Sequence, residues 1–535
     1  HGTGLKNTAL NYLMAGKTFP EIQNMSVSSL RNWLDEYFQD HQPPAALQEA
    51  FTTIKKKLSY LCDIGLNYLT LARKIPSLSG GEIQRIRITK CLGGALTQTL
   101  YCLDEPTAGL HPHDSRKLLL VMRQLRDQGN TVIVVEHDPW IIQKSDYLIQ
   151  LGPGAGTRGG EIIYQGPPHG CQHLKSSHPR EISPKHPVRD RLNHKTVFCE
   201  LTGVHTHNLK GVDVRIPLGK ITGICGVSGS GKTSLIRHTV YPALCQKLGV
   251  DQKHQVTGTN YQSLSLSDGG DIQTMLTNIM LMSQKPLGRT TRSNISSYLG
   301  VLPTIRNLLA STESAKINGL TPSYFSFNSS LGRCETCSGL GVVIEDISFL
   351  GSVEILCPSC RGQRFNKQVL AVEYQGKNIH QILGLTIEEA RIFFKRTPAI
   401  ATKLQEVIDL GLGYLSLGQV TSTFSGGEAQ RLKILKLLIN TTSLKADKLF
   451  LIFDEPTGGL SETDIEYLSL KLQRLKQAGH TVVFIEHHLA LLKSADWLIE
   501  IGPGAATAGG EVNYQGPPAD IVHAPKSTIN QFMFP

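Results

Sequence analysis

Gly226-Val-Ser-Gly-Ser-Gly-Lys232-Thr233 decides the fold, because of what stands on either side of it. Ile221 to Cys225 before it is an apolar, strand-like run, and a helix-like stretch begins at Ser234 after it. Strand, glycine-rich loop and helix are the context that a phosphate-binding loop requires. Gly226, Gly229 and Gly231 let the backbone wrap close to a phosphate, so that its N–H groups and the helix start donate to the anion. Lys232 is placed to reach the β- and γ-phosphates of ATP, and the Thr233 hydroxyl to sit on Mg²⁺. Ser228, Ser230 and Ser234 complete the phosphate-facing set. A plain glycine-rich turn does not need the lysine, the hydroxyl and both flanking elements together.

Working outward from the loop, the chain repeats itself. Leu103-Asp104-Glu105-Pro106-Thr107 returns as Phe453-Asp454-Glu455-Pro456-Thr457, and Val135-Glu136-His137 as Ile485-Glu486-His487, both 350 residues on. The same offset relates Gly152-Pro153-Gly154 to Gly502-Pro503-Gly504, and the stretch from Tyr164 to Pro168 to that from Tyr514 to Pro518. One register held over four motifs marks two copies of one unit. Upstream the offset drifts with loop length, Ser79-Gly80-Gly81-Glu82 matching Ser425-Gly426-Gly427-Glu428, and Gly16-Lys17 matching Gly376-Lys377. In that register His1 corresponds to Arg361, so the first copy lacks whatever matches residues 197 to 360, and the chain is expected to be a fragment of a longer polypeptide. Between the copies, Cys171 to Lys195 is rich in His, Pro, Lys, Arg and Ser without apolar periodicity and reads as an exposed linker. Thr131 to Val135 and Thr481 to Ile485 read as buried parallel strands, and Glu82 to Cys91 and Glu428 to Leu438 as helices. Their alternation predicts an α/β sheet core.

Around the phosphate loop the repeated motifs have chemistry to offer. Asp454 ends the apolar run from Leu449, so a carboxylate at the tip of a buried strand is placed to hold Mg²⁺ through water. Glu455 follows and is placed to polarise an attacking water, and His487, after another apolar strand, to contact the γ-phosphate region. Alone, each carboxylate would read as a solvated strand end and the histidine as a satisfied core residue; with Lys232 in the same chain the catalytic reading is stronger. Ser79-Gly80-Gly81-Glu82-x-Gln84-Arg85 and its twin at Ser425 put small residues at a helix start, whose N–H groups and positive dipole suit a phosphate. This motif resembles the signature of ABC-type ATPases, and Asp-Glu-Pro-Thr downstream makes the resemblance specific. The resemblance implies two modules meeting head to tail, each ATP lying between one module's phosphate loop and the other's signature. Here residues 226 to 233 are expected to meet Ser79, Gly80, Gly81 and Glu82 in one composite site, while the signature at Ser425 lacks a phosphate loop to face.

Cys334-x-x-Cys337 and Cys357-x-x-Cys360, with nineteen residues between the pairs, form a Cys₄ zinc pattern. Two tight knuckles of paired thiolates complete a tetrahedron, and the closed ligand shell indicates a structural Zn²⁺. Val342 to Gly351 between the pairs has β-rich character and predicts a hairpin. The other seven of the 11 cysteines are scattered singly and read as core thiols, so no disulfide framework is expected. No run of eighteen apolar residues and no signal-peptide pattern occurs, so a cytoplasmic location without membrane association is expected. Lys and Arg number 54 against 44 Asp and Glu, a net +10 that is compatible with a polyanionic partner but too dilute over 535 residues to identify one.

A zinc module between phosphate loop and signature is unusual among ABC proteins, and here the chain resembles the UvrA family of DNA-damage-recognition ATPases. The stretches that carry this are Gln284-Lys-Pro-Leu-Gly-Arg289-Thr-Thr-Arg292-Ser-Asn294, Phe325-Ser-Phe-Asn328, Gly332-Arg-Cys-Glu-Thr-Cys337, Leu417-Gly-Gln419, Gly65-Leu-Asn-Tyr-Leu-Thr-Leu71 and Gly109-Leu-His-Pro-His-Asp114. The resemblance covers essentially the whole chain, most like the second half of such a protein. It implies an excision-repair ATPase that binds lesion-bearing double-stranded DNA, self-associates as a homodimer and loads a UvrB-like partner. It also implies that Gln284 senses Mg²⁺ and the γ-phosphate, and that Arg289 and Arg292 lie near the DNA backbone, where arginines fix position without reading bases; a solvated loop is the alternative for these two. The family's partner-binding region precedes the first signature, so the UvrB-like partner is expected of the longer protein. Departures are Gly459-Leu460-Ser461 where the first copy has Gly109-Leu110-His111, and Ile83 where the second signature has Ala429. The expected layout is 1–170 for the C-terminal part of the first module, 171–195 for the linker and 196–250 for the phosphate-loop part of the second module. A helical signature domain follows at 251–445 with the zinc module at 332–364, and 446–535 completes the second ATP-binding domain. An ABC resistance or translation-associated protein, and a zinc-stabilised DNA scaffold without hydrolysis, are the competing readings.

Overall fold

The computed structural model describes residues 6, 10–40, 45–75, 78, 80–92, 97–107, 110, 112–152, 159–171, 196–250, 260–282, 293–347, 351–442, 448–458, 460 and 462–533. The chain divides into two compact units. One comprises His1–Leu148, Gly166–Gln284 and Ala446–Pro535, the other Ile149–Gln165 and Lys285–Lys445.

In the first copy, β1 (Leu13–Met14) and β2 (Lys17–Thr18) form a minimal hairpin. The helices Val27–Asp40 and Gln48–Asp63 follow, with the Phe38 and Phe51 rings 4.5 Å apart between them. β3 (Leu100–Asp104) and β4 (Thr131–Val135) pair in parallel across the helix Pro112–Asp127, and β5 (Leu148–Gly152) pairs with β6 (Glu161–Gly166). The expectation that Thr131 to Val135 is a buried strand needs correction. Ile133 and Val135 are 51% and 54% exposed, because β3 and β4 form a sheet of only two strands among the described residues. Cys102 on β3 is exposed for the same reason, against its expected place in a core.

The second copy adds β7 (Phe198–Val204), β8 (Val212–Pro217), β9 (Ile221–Cys225), β10 (Ser263–Leu266) and β11 (Asn278–Met282). Beyond the zinc-module strands β12 (Val342–Ile347) and β13 (Gly351–Leu356) come β14 (Leu449–Asp454), β15 (Thr481–Ile485), β16 (Trp497–Gly502) and β17 (Glu511–Gly516). Six of these make a sheet in the order β11-β14-β15-β9-β16-β17, parallel except for β17, and β10-β7-β8 form an antiparallel sheet. Every residue of β9, β14 and β15 is buried, which matches their unbroken apolar runs: a parallel strand covered on both faces has no polar side. Their core also takes in Leu235, Ile236 and Val240 from the helix after the phosphate loop.

The other unit is mainly helical. The helices Ile379–Gly384 and Ile387–Phe393 each start with a capping box, Asn378 with Gln381 and Thr386 with Glu389, which satisfies N–H groups at both ends of the first turn. Its long helix, Gly426–Thr442, starts at the second signature. The linker residues 172–195 lie outside the described residues. Among the described residues no helix is long and apolar enough to cross a membrane.

Candidate functional site

Along the six-stranded sheet the parallel strands end at one level. Asp454 pairs with Ile485 and Ile485 with Ile224, so Asp454, Glu486-His487 and the loop 226–233 leave three adjacent strands side by side. Open α/β sheets bind ligands beyond such strand ends, where loops and helix starts converge.

The loop's shape follows from its glycines. Gly226 and Gly229 have φ of +135° and +76°. A Cβ on Gly226 would lie 2.0 Å from the Ile501 carbonyl oxygen, and one on Gly229 would lie 2.8 Å from the Tyr68 ring. From behind, Asn208 Nδ2 donates to the Ser230 carbonyl at 3.0 Å, and the backbone N–H groups of Ala506 and Gly510 donate to the carbonyls of Gly229 and Ser230, both at 3.0 Å. Lys232 is buried, and its Nζ donates to the carbonyls of Gly226 at 2.8 Å and Val227 at 2.9 Å, so the loop curls around a fixed positive charge. Thr233 beside it is exposed.

The helix that starts at Lys232 widens into one π turn, Ile236–Val240, before resuming at Tyr241. Such turns redirect side chains, and this one includes Arg237, whose Nη1 lies 3.5 Å from Asp454 Oδ2. Burial raises the Asp454 carboxyl above its ordinary value, while Arg237 and Lys232 pull it back. The chain then turns sharply: Glu455 has φ +48° and its twin Glu105 has φ +44°. Left-handed backbone in a non-glycine residue costs about 1–3 kcal/mol, and both copies carry it at the same place. The Glu455 N–H donates to the Ile485 carbonyl at 3.0 Å, as Glu105 does to Val135 at 2.9 Å. In the first copy His137 Nε2 stands 3.5 Å from Glu105 Oε1.

A carboxylate not singled out above ties this edge together. Glu486 Oε1 accepts from the Thr457 N–H at 2.7 Å and its hydroxyl at 2.6 Å, and Oε2 from the N–H groups of His487 and His488 at 2.8 and 3.2 Å. Glu136 repeats the pattern with Thr107, His137 and Asp138. The buried Glu486 thus fixes the loop after Glu455 relative to His487. Glu486→Gln puts an NH₂ against donors, and a lost charged hydrogen bond of this kind is expected to cost about 1.5–3 kcal/mol. A lower denaturation midpoint at unchanged slope would register it; an unshifted midpoint would refute the assigned role.

The signature of the first copy reaches the same loop. Arg85, on the helix Gly80–Leu92, is buried and donates from Nη2 to Ser228 Oγ at 2.8 Å and from Nη1 to the Ile64 carbonyl at 3.3 Å. Glu82 on that helix accepts from the Tyr68 hydroxyl at 2.6 Å, and the phenol is raised by burial and then by the Glu82 charge. The second copy repeats two of these bonds, Tyr414 to Glu428 at 2.5 Å and Arg431 to the Leu410 carbonyl at 3.4 Å. Gly226 to Ser234, Asp454, Glu455 and His487 therefore share one edge, with Glu82's helix joined to it through Arg85. Ser79, Gln284, Arg289 and Arg292 lie outside the described residues. Glu486 and Tyr68 were visible in principle as repeated residues; Asn208 and Arg237 carry no such signal.

The four cysteines come together in the helical unit. Their Sγ atoms all lie within 4.8 Å of one another and all four are buried. Cys334–Cys357 and Cys337–Cys360 Sγ separations are 3.9 and 3.6 Å. A disulfide needs about 2.05 Å, whereas Zn–S bonds of about 2.3 Å in a tetrahedron put sulfurs about 3.8 Å apart. The set fits a tetrahedral Zn²⁺. The Cys360 backbone N–H draws the Cys357 thiol down to about 7, while burial pushes the neighbouring Cys360 thiol up to about 12. The hairpin β12–β13 runs out from this base in the register Val342 to Leu356. It carries Glu345, Asp346 and Glu354 and no Lys or Arg, so its own charges do not attract a phosphate backbone.

No protein-family model matches the chain. It is 39% identical over 537 residues to the UvrABC system protein A of Haemophilus ducreyi, covering 99% of this chain and 56% of that protein. To the same-named protein of Aquifex aeolicus it is 40% identical over 542 residues, covering 99% and 57%. Among solved structures, UvrA2 from Deinococcus radiodurans matches with a TM-score of 0.88 at 37% identity, covering 99% of this chain and 64% of that one. The chain thus spans about half the length of the curated relatives it matches.

Proposed function

We infer that this chain, which belongs to the UvrA family, is a DNA-binding ATPase segment of a nucleotide excision repair system, acting on duplex DNA that carries lesions. The observation that carries the reading is the phosphate loop at the edge of Asp454, Glu455 and His487, held through Ser228 by Arg85 of the other copy's signature helix. In this reading Lys232 and the glycine-rich backbone hold the phosphates, while Thr233, Asp454 and Gln284 hold Mg²⁺. ATP supplies the phosphoryl group whose transfer to water drives the cycle. Glu455 orients and deprotonates that water, and His487 touches the γ-phosphate side. Ser79, Gly80, Gly81 and Glu82 close the site from the other module, so nucleotide occupancy changes how the two copies grip each other. Cys334, Cys337, Cys357 and Cys360 hold one structural Zn²⁺.

The proposed partners are lesion-bearing DNA, met by Arg289 and Arg292, a UvrB-like protein for the longer chain, and a second copy in a homodimer. The proposed setting is the cytoplasm, and the proposed domain boundaries are those set out from the sequence. Recognition would rest on altered duplex shape and deformability, which suits a protein that accepts many lesions. The test is binding to matched duplexes with and without one bulky lesion, with and without ATP, at fixed salt. A preference for the damaged duplex that ATP alters is expected; equal affinity for both under all conditions overturns the reading.

A further inference from the structure

Arg237 is a cation that the ATPase reading leaves unused, and it stands where the metal is expected. The Asp454 side chain at the tip of β14 is only 4% exposed. A carboxylate taken out of water needs a positive partner, because desolvation penalises its charge. Burial accordingly raises the Asp454 carboxyl, and Arg237 and then Lys232 lower it again. Lys232 Nζ is engaged with the carbonyls of Gly226 and Val227. The Arg237 guanidinium meets the carboxylate itself, Nη1 to Oδ2 at 3.5 Å.

The two partners differ in freedom. Asp454 closes a strand whose every residue is buried, and that strand lies between β11 and β15. Arg237 sits on the π turn Ile236–Val240, and its side chain is 29% exposed. A contact of 3.5 Å is at the outer limit of a hydrogen bond, so the guanidinium is held lightly and the carboxylate firmly. A hard oxygen fixed at a strand tip and already facing a positive charge fits Mg²⁺, which takes carboxylate oxygens and keeps several waters. Two cations at one carboxylate repel each other, and the arginine is the one with solvent to move into.

We propose that Arg237 is a stand-in cation for the metal: it holds the Asp454 charge in the absence of Mg²⁺ and gives way when the ion arrives with the nucleotide. The proposal rests on the phosphate-loop reading above and adds to it a positioning residue, one that sets how strongly nucleotide binding depends on the metal. Without Mg²⁺ the arginine screens the phosphates of ATP from the Asp454 charge; with Mg²⁺ it competes with the ion. Both effects narrow the gap between the two affinities, so metal and nucleotide are coupled less tightly than Asp454 alone would couple them.

The test titrates the whole chain with ATP at equilibrium, once with Mg²⁺ in excess and once in chelator, and reads the ratio of the metal-free dissociation constant to the Mg²⁺ one. Arg237→Gln removes the charge and keeps a polar side chain. It is expected to raise that ratio by about fivefold, the upper end for a partly exposed ion pair, while Arg237→Lys stays within about twofold of the parent chain. In an Asp454→Asn background the same Arg237→Gln change is expected to leave the ratio unmoved, because the charge it answers is gone. A ratio that Arg237→Gln leaves alone or lowers, as when a structural loss weakens both affinities equally, overturns the proposal. So does a rise that persists with Asp454→Asn. Lys232→Ala separates the two levels: it is expected to weaken ATP under both conditions, and if it weakens neither, the phosphate-loop reading itself falls.

Discussion

Glu455→Gln is expected to lower steady-state ATP hydrolysis by roughly 10²- to 10⁴-fold, the usual contribution of a positioned general base, while ATP binding stays close to that of the parent chain. The substitution keeps size and shape and removes only the ability to take a proton. It keeps the backbone too: glutamate already sits at φ +48° there, so glutamine adds no new strain. Asp454 next to it is a poor substitute base, since Arg237 stands 3.5 Å from its Oδ2 and its place is under the metal in the proposed site. Glu486 is committed to four hydrogen bonds with backbone and Thr457 groups. Colorimetric phosphate release beside equilibrium ATP titration checks both halves of the prediction. Turnover within a factor of two of the parent would move the base elsewhere, and a parallel collapse of binding would make Glu455 a binding residue instead.

Removing zinc is expected to unfold the four-cysteine module outright. Among the described residues, the cluster around Cys334, Cys337, Cys357 and Cys360 includes only Val343 as a further packed apolar residue, so hydrophobic burial has little to hold these loops with. Structural zinc sites supply about 10–16 kcal/mol of apparent binding free energy, far beyond what one partly buried valine contributes. Cys360→Ser, or dialysis against a strong chelator, should therefore take bound zinc from one per chain toward none and open residues 332–364 to limited proteolysis. The six-stranded sheet has a separate and extensive core, so most far-ultraviolet ellipticity should persist. A chain that purifies free of zinc and still resists the protease in this segment would refute the metal assignment.

How much of this could be read beforehand depended on how local each signal is. The loop at Lys232, the strand ending at Asp454, the four cysteines and the hairpin between them are set by neighbours in sequence: glycines at fixed steps, apolar runs, paired CxxC. Glu486, present in both copies as Glu136 and Glu486, shows no such local sign, because the N–H and hydroxyl of Thr457 that it ties to His487 and His488 lie 29 residues away and side-chain identity does not announce such a partner. Arg85 sits inside a motif, yet its hydrogen bond to Ser228 spans 143 residues, a distance that only the fold can close. The half-exposed β4 departs from its expected burial for the opposite reason. Its sequence is as apolar as that of β15, but burial is decided by which strands lie alongside, and a strand's own residues do not say that.

The strand order has a consequence for how the chain comes into being. β9, which delivers the phosphate loop, lies between β15 and β16, so the first-made strand of the parallel set waits for two of the last. A nascent chain that has reached residue 480 has its glycines and Lys232 but neither wall of the slot they belong to. Pairings this distant in sequence form late, after the entropy of closing the intervening chain has been met. Nucleotide affinity should thus appear only at the end of folding, and ATP in the surrounding solution would then favour the finished sheet over its precursors by mass action.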